Sequence, residues 1–244
     1  MNQLRMLTQQ RVMKPEVVHP VLADDGEALT LFDCGDPELA QTLVDEITQQ
    51  GFEPSRLKNV IVTHHDLDHV GGLRGLLDIF PDVTVYATEE QAGYIRGEKR
   101  WLRLQKEDWD YLALPPEQRI PSGRVRAQQY QFFLPGRVDR YVAGGDILPI
   151  CGGAEIVDTP WHMPGHISVY IRAEKALICG DAFNTFDGTL DLNRKVDLCP
   201  ECTKAELEKF LTLDVRTVFG YHGGMLSLYD GEFRRHIERL MQTV

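Results

Sequence analysis

The stretch THHDLDHVGG, Thr63–Gly72, places three histidines and two aspartates in six consecutive positions and then closes on paired glycines. Imidazole nitrogens and carboxylate oxygens are ligands for zinc and for other first-row divalent ions. A solvated polar turn does not account for this density, so His64, Asp66, Asp68 and His69 are read as metal ligands. The apolar run NVIVT before them reads as a β-strand that delivers the loop. Gly71 and Gly72 read as positions where the backbone turns sharply at no side-chain cost.

Three further candidates lie downstream, each at the end of an apolar strand pattern. They are His166 in MPGHISV, Asp181 in ICGDAF and His222 in GYHGG. Each is weak alone, because a lone histidine or aspartate is commonly structural. The shared strand-then-turn setting makes them a set.

Strand and helix patterns alternate around these positions, which points to an α/β or mixed sheet protein. ALTLFDCG reads as a buried strand entering a turn. DPELAQTLVDEITQQG reads as a helix, with Asp36 as N-cap and Gly51 as its stop. Thr203 and Glu206 have the spacing of a capping box. Residues 97–140 are rich in arginine and aromatics with weak periodicity, and are expected to form an inserted flap over the site. Arg96, Arg100, Trp101 and Arg103 lie where such a flap meets substrate, although surface salt bridges explain the arginines equally well.

The chain has 244 residues and a net charge of −11, with no basic tract. That balance disfavours nucleic acid and anionic membranes as partners. No apolar run is long enough to span a bilayer, and the N-terminus lacks a signal-peptide pattern. Five cysteines without framework spacing suggest a reducing compartment, and the cytoplasm is expected. Cys34 and Cys179 read as packing residues on strands, and Cys199 and Cys202 as an incidental pair.

The motifs together resemble the metallo-β-lactamase-fold hydrolase superfamily, from LFDCG near residue 30 to GYHGG near 224. The family pattern is His-x-His-x-Asp-His, a Pro-Gly-His turn, a Gly-Asp strand end and a final strand-end histidine. The resemblance implies a single domain over 1–244 with a four-layer αββα sandwich, and two divalent ions at one edge of the two sheets. His64, Asp66 and His166 would hold the first ion. Asp68, His69 and His222 would hold the second, with Asp181 between them. Zinc is the expected metal. Asp68 would also orient the attacking hydroxide, making it the catalytic residue. The implied reaction is hydrolysis of a small ester, lactone, thioester or phosphodiester by a metal-bound hydroxide. The alternative is a non-hydrolytic iron-binding redox or sensor module on the same fold.

The chain departs from the pattern at Asp66, where the family has histidine. Aspartate is shorter than histidine, so either the loop moves inward, or a water fills the gap, or the first site is weak. An added oxygen donor shifts preference towards iron or manganese. It also makes the site less positive, and so less attractive to anionic substrates.

Overall fold

A computed structural model describes residues 3–11, 14–119 and 125–244. Along Val21–Asp24 neighbouring side chains face opposite ways, Val21 and Ala23 into one apolar cluster and Leu22 into another. The same period of two separates Phe32 from Leu31, Ile61 from Val60, Val169 from Tyr170 and Phe219 from Val218. Strands buried on both faces need cover on both sides, and that requirement builds the layers.

One sheet runs β1 (Gln3–Met6), β4 (Val21–Asp24), β5 (Leu29–Phe32), β6 (Leu57–Ile61), β7 (Thr84–Ala87) and β8 (Arg140–Tyr141) in spatial order. The other runs β14 (Gly224–Ser227), β13 (Thr217–Gly220), β12 (Ala176–Ile178), β11 (Ile167–Ile171), β10 (Ala154–Asp158) and β9 (Ile147–Leu148). A ribbon of β2 (Gln9–Gln10) and β3 (Val17–Val18) stands apart. Pairs β5/β6, β6/β7 and β12/β13 are parallel, so their C-terminal ends share one edge of each sheet.

Phe32, Ile61, Ile156, Val169, Ile178 and Phe219 form the core between the sheets. Helices α1 (Ala40–Gln49), α3 (Leu73–Ile79) and α4 (Glu89–Ile95) cover the first sheet with Leu43, Ile47, Leu73 and Ile95. Helices α7 (Thr203–Phe210) and α8 (Glu232–Met241) cover the second with Leu207, Phe210, Phe233 and Ile237. The order helix, sheet, sheet, helix is the expected αββα sandwich.

The segment at 97–140 carries α5 (Lys106–Leu112) and α6 (Val125–Tyr130), then returns as β8 beside β7. Residues 120–124 of the expected flap lie outside the described residues. The weak periodicity has a cause: the segment packs through an aromatic knot. Trp101 lies 4.4 Å from Tyr130 and 4.6 Å from Phe133, ring centre to ring centre.

Several local expectations change. Helix α1 starts at Ala40, and Asp36 is held by Arg11 instead of capping it. Thr203 is the first residue of α7, and its hydroxyl donates to Pro200 O at 2.7 Å, so no capping box forms there. Cys199 and Cys202 form a disulfide, where an incidental pair was expected. Gly71 and Gly72 have right-handed helical angles, so positive φ is not their reason. A Cβ on Gly72 would lie 2.2 Å from Cys34 O, and one on Gly71 2.3 Å from Pro37 Cδ. Close approach of the chain after β5 demands these glycines.

Candidate metal centre

The end of β6 leads through Thr63 into His64, His65 and Asp66, and the single turn α2 (Leu67–Val70) then presents Asp68 and His69. The end of β12 delivers Asp181, the end of β13 delivers His222, and the β10–β11 connection delivers His162. These groups converge in two clusters. One holds His64, Asp66, His162 and Asp181, the other Asp68, His69 and His222, with ligand atoms within 4.8 Å of one another in each.

Asp181 joins the clusters. Its Oδ2 lies 3.7 Å from His162 Nε2, and its Oδ1 lies 3.1 Å from His69 Nε2 and 3.4 Å from His222 Nε2. Gly180, with φ +51°, makes the turn that aims it, and a Cβ there would lie 2.8 Å from His166 Nε2.

The histidine of the first cluster is His162, not His166. Both ring nitrogens of His166 are engaged elsewhere: Nδ1 lies 2.6 Å from Thr159 Oγ1, and Nε2 accepts from the Asp181 N–H at 3.1 Å. Burial, with His64 nearby, holds the His166 ring well below the usual histidine range, so it stays a neutral strut for Asp181. His162 Nε2 lies 3.7 Å from Asp66 Oδ2. Sequence reasoning chose the histidine beside Pro-Gly. The available signal for the other was the spacing itself, two histidines four residues apart in WHMPGH.

Asp33 was also missed. It follows β5 with φ +61°, a conformation that aspartate tolerates better than most residues. Its carboxylate accepts from Thr63 N and Thr63 Oγ1, each at 2.8 Å, and lies 2.8 Å from His69 Nδ1. Because the Thr63 hydroxyl donates to Asp33, it can only accept from His64 Nδ1, 3.0 Å away. One carboxylate thus fixes two imidazoles with Nε2 facing the centre. His65 points away: it stacks on Tyr94 at 4.2 Å, with Nδ1 2.7 Å from Gln91 Oε1. Tyr221 is buried, stacks on His69 and donates to the backbone oxygen of Asp68, which makes it a packing and positioning residue.

Two guanidinium groups enter the centre. Arg103 Nε donates to Asp66 Oδ2 at 2.5 Å, and Arg11 donates to Asp68 Oδ2 at 2.7 Å. Burial alone would raise the Asp66 carboxyl, but its neighbours, the Arg103 charge among them, outweigh it and hold the group well below the usual range. Asp68 is likewise held low, as His222, His69 and Arg11 overcome its burial. Burial lowers His64 to about 3, so it is neutral at pH 7. His69 goes the other way: Asp181 and Asp33 outweigh its burial and push it up to about 10. His162 is drawn both ways. Burial opposes its charge and Asp197 and Asp66 favour it, but the Arg103 nitrogen 2.8 Å from Nε2 needs a lone pair there. The contact decides: the ring is neutral, with its proton on Nδ1 facing Asp197 at 3.2 Å.

The donor set fits divalent ions. Buried His64 Nε2, His69 Nε2 and Asp181 Oδ1 make no well-aligned hydrogen bond, although the last two lie 3.1 Å apart, which is costly unless a cation completes the set. Beside it opens a cavity of about 310 Å³. Arg11, Lys14, Arg103 and Arg126 bring positive charge to its wall, and Trp101 and Phe186 bring apolar surface.

The sequence model of the metallo-beta-lactamase superfamily matches residues 13–222. Probable metallo-hydrolase YflN of Bacillus subtilis is 29% identical over 172 residues, covering 68% of this chain and 60% of that one. A hydroxyacylglutathione hydrolase of Gloeobacter violaceus is 26% identical over 160 residues, covering 63% and 47%. The chain thus spans about half to 60% of the length of these relatives. A metallo-beta-lactamase family protein from Thermus thermophilus superposes with a TM-score of 0.71 at 20% identity, covering 98% of this chain and 78% of that one.

Proposed function

Because the chain belongs to the metallo-beta-lactamase superfamily, we propose that it is a binuclear metal-dependent hydrolase acting on a small ester, lactone, thioester or phosphodiester. The observation that carries this reading is Asp181, which turns one oxygen to each of two histidine–aspartate clusters. His64, Asp66 and His162 are the private ligands of one half, and Asp68, His69 and His222 those of the other. Zinc suits the imidazoles, and the three carboxylates also accommodate iron or manganese. When bound, such ions acidify water and polarise an acyl or phosphoryl oxygen.

The chain's own residues supply the rest. Asp33 holds His69 directly and His64 through Thr63. Asp68, steadied by Arg11, orients the attacking water. The segment at 97–140 serves as the substrate wall of a single domain. Its Arg126, on one wall with Trp101, Leu104 and Tyr130, suits a substrate with an anionic group beside an apolar acyl part, such as the thioester that the name of the Gloeobacter relative indicates. A cytoplasmic setting belongs to the same proposal. No described helix is long and apolar enough to cross a membrane, whereas the Cys199–Cys202 bond weighs against a strongly reducing compartment.

The test is an ester, lactone, thioester and phosphodiester panel on protein stripped by chelator and then reloaded with zinc or manganese. Turnover lost on stripping and regained on loading is expected. Tight iron with no turnover in any class would replace hydrolysis with a redox or sensing role.

A further inference from the structure

Arg103 extends from the segment between α4 and α5 into the first half of the centre. Each guanidinium nitrogen has a partner: Nε donates to Asp66 Oδ2 at 2.5 Å, one Nη meets His162 Nε2 at 2.8 Å, and the other donates to Val196 O at 2.7 Å. Its side chain is 11% exposed. Two of these acceptors are ligand atoms of the first half. A lone pair on His162 Nε2 serves a guanidinium or a metal ion, not both.

The second half is built differently. Arg11 pairs with Asp68, but its Nε and other Nη are bound to Asp36, and its partners among the described residues are carboxylates. His69 Nε2 faces Asp181 at 3.1 Å, and among the described residues no guanidinium bonds to it.

We propose that Arg103 is a resident cation competing with metal for the first half of the centre, so the two halves load unequally. The half formed by Asp68, His69 and His222 fills first. The half formed by His64, Asp66 and His162 fills only as the guanidinium withdraws into the adjoining cavity, which it already lines. The physical reason is charge. Part-buried Asp66 and buried Asp181 require a compensating cation, and a guanidinium cannot relieve the competition by losing its proton. It can only move. The inference rests on reading the centre as a metal site.

The experiment is calorimetric titration of chelator-stripped full-length protein with zinc, with bound metal counted by elemental analysis. Wild type is expected to bind one tight ion and a second at least about tenfold weaker, within the range by which neighbouring groups tune metal affinity. Arg103→Gln, which removes the charge, should tighten the second ion by a similar factor and leave the first unchanged. Arg103→Lys, which keeps the charge but cannot span both acceptors, should fall between them. Two ions in one class of equal sites in wild type would overturn the proposal without any variant. An Arg103→Gln protein that folds but keeps the weak second ion would also overturn it. No zinc uptake at all would instead overturn the reading of the centre itself.

Discussion

The two halves of the centre share Asp181 and have similar donors, yet they neutralise their carboxylates by different means. In the first half Arg103 pairs with Asp66 and occupies His162 Nε2. In the second, protons do much of the work: His69 is pushed up to about 10 and His222 well above the usual range, as Asp181 and other neighbouring carboxylates overcome burial. A proton leaves by titration, while a guanidinium leaves only by conformational change. Donors of one chemistry can therefore load by different rules, depending on which cation was there first.

Single ligand deletions give the largest expected effect and could break the comparison outright. His222→Ala should remove the tight ion, His162→Ala only the weak one, and His166→Ala neither. Each ligand loss should exceed the roughly 10–100-fold cost of an outer partner. His166→Ala should instead cost stability, about 1–3 kcal/mol for the stranded Thr159 hydroxyl and Asp181 N–H. Metal content and thermal melts separate these outcomes. Loss of an ion in His166→Ala would restore the sequence-based ligand set.

That ligand set was partly legible. His64, Asp68 and His69 lie in one contiguous motif, and Asp181 and His222 each follow an apolar run, so their convergence follows from strand ends sharing an edge. The four layers were legible through the resemblance, while the strands' two-sided burial appears only in the packing. His162 was not distinguishable from His166 by residue type. What separates them is that Thr159 N–H binds His166 O and ties that residue into the β10–β11 hairpin, leaving His162 on the excursion. Arg103 meets Asp66 from 37 positions away, and no local pattern encodes that contact. The carboxylate at position 66 was expected to leave the site less positive than the family pattern, whereas the fold brings two guanidinium groups to its aspartates.

Asp33 offers a way to sharpen the contrast. It touches His69 directly but reaches His64 only through Thr63. Asp33→Asn keeps the shape and removes the charge. Outer carboxylates tune metal affinity by about 10–100-fold, so the second-half ion should weaken within that range and the first-half ion less. Equal weakening of both ions in zinc titration would mean that Thr63 transmits the full effect and that the halves are not independently supported.

The smallest expected effect is on stability, and its sign differs between the halves. His64 and neighbouring His65 are lowered from 6.5 by burial, to about 3 and about 4. Their contribution is fully present above pH 6.5 and is lost as pH falls towards those values. His69 is raised from 6.5 to about 10, so its contribution is fully present below pH 6.5 and is lost as pH rises through 10. Metal-free protein should therefore melt highest near neutrality, with a decline on both sides. Zinc replaces the proton on His69, because a coordinating imidazole must be neutral, so loading one ion should flatten the alkaline decline. The acid decline should stay, since His65 faces away from the centre. Melting profiles from pH 4 to 10, with and without one equivalent of zinc, check both arms. An alkaline arm untouched by zinc would move the tight ion out of the second half and reverse the proposed order of loading.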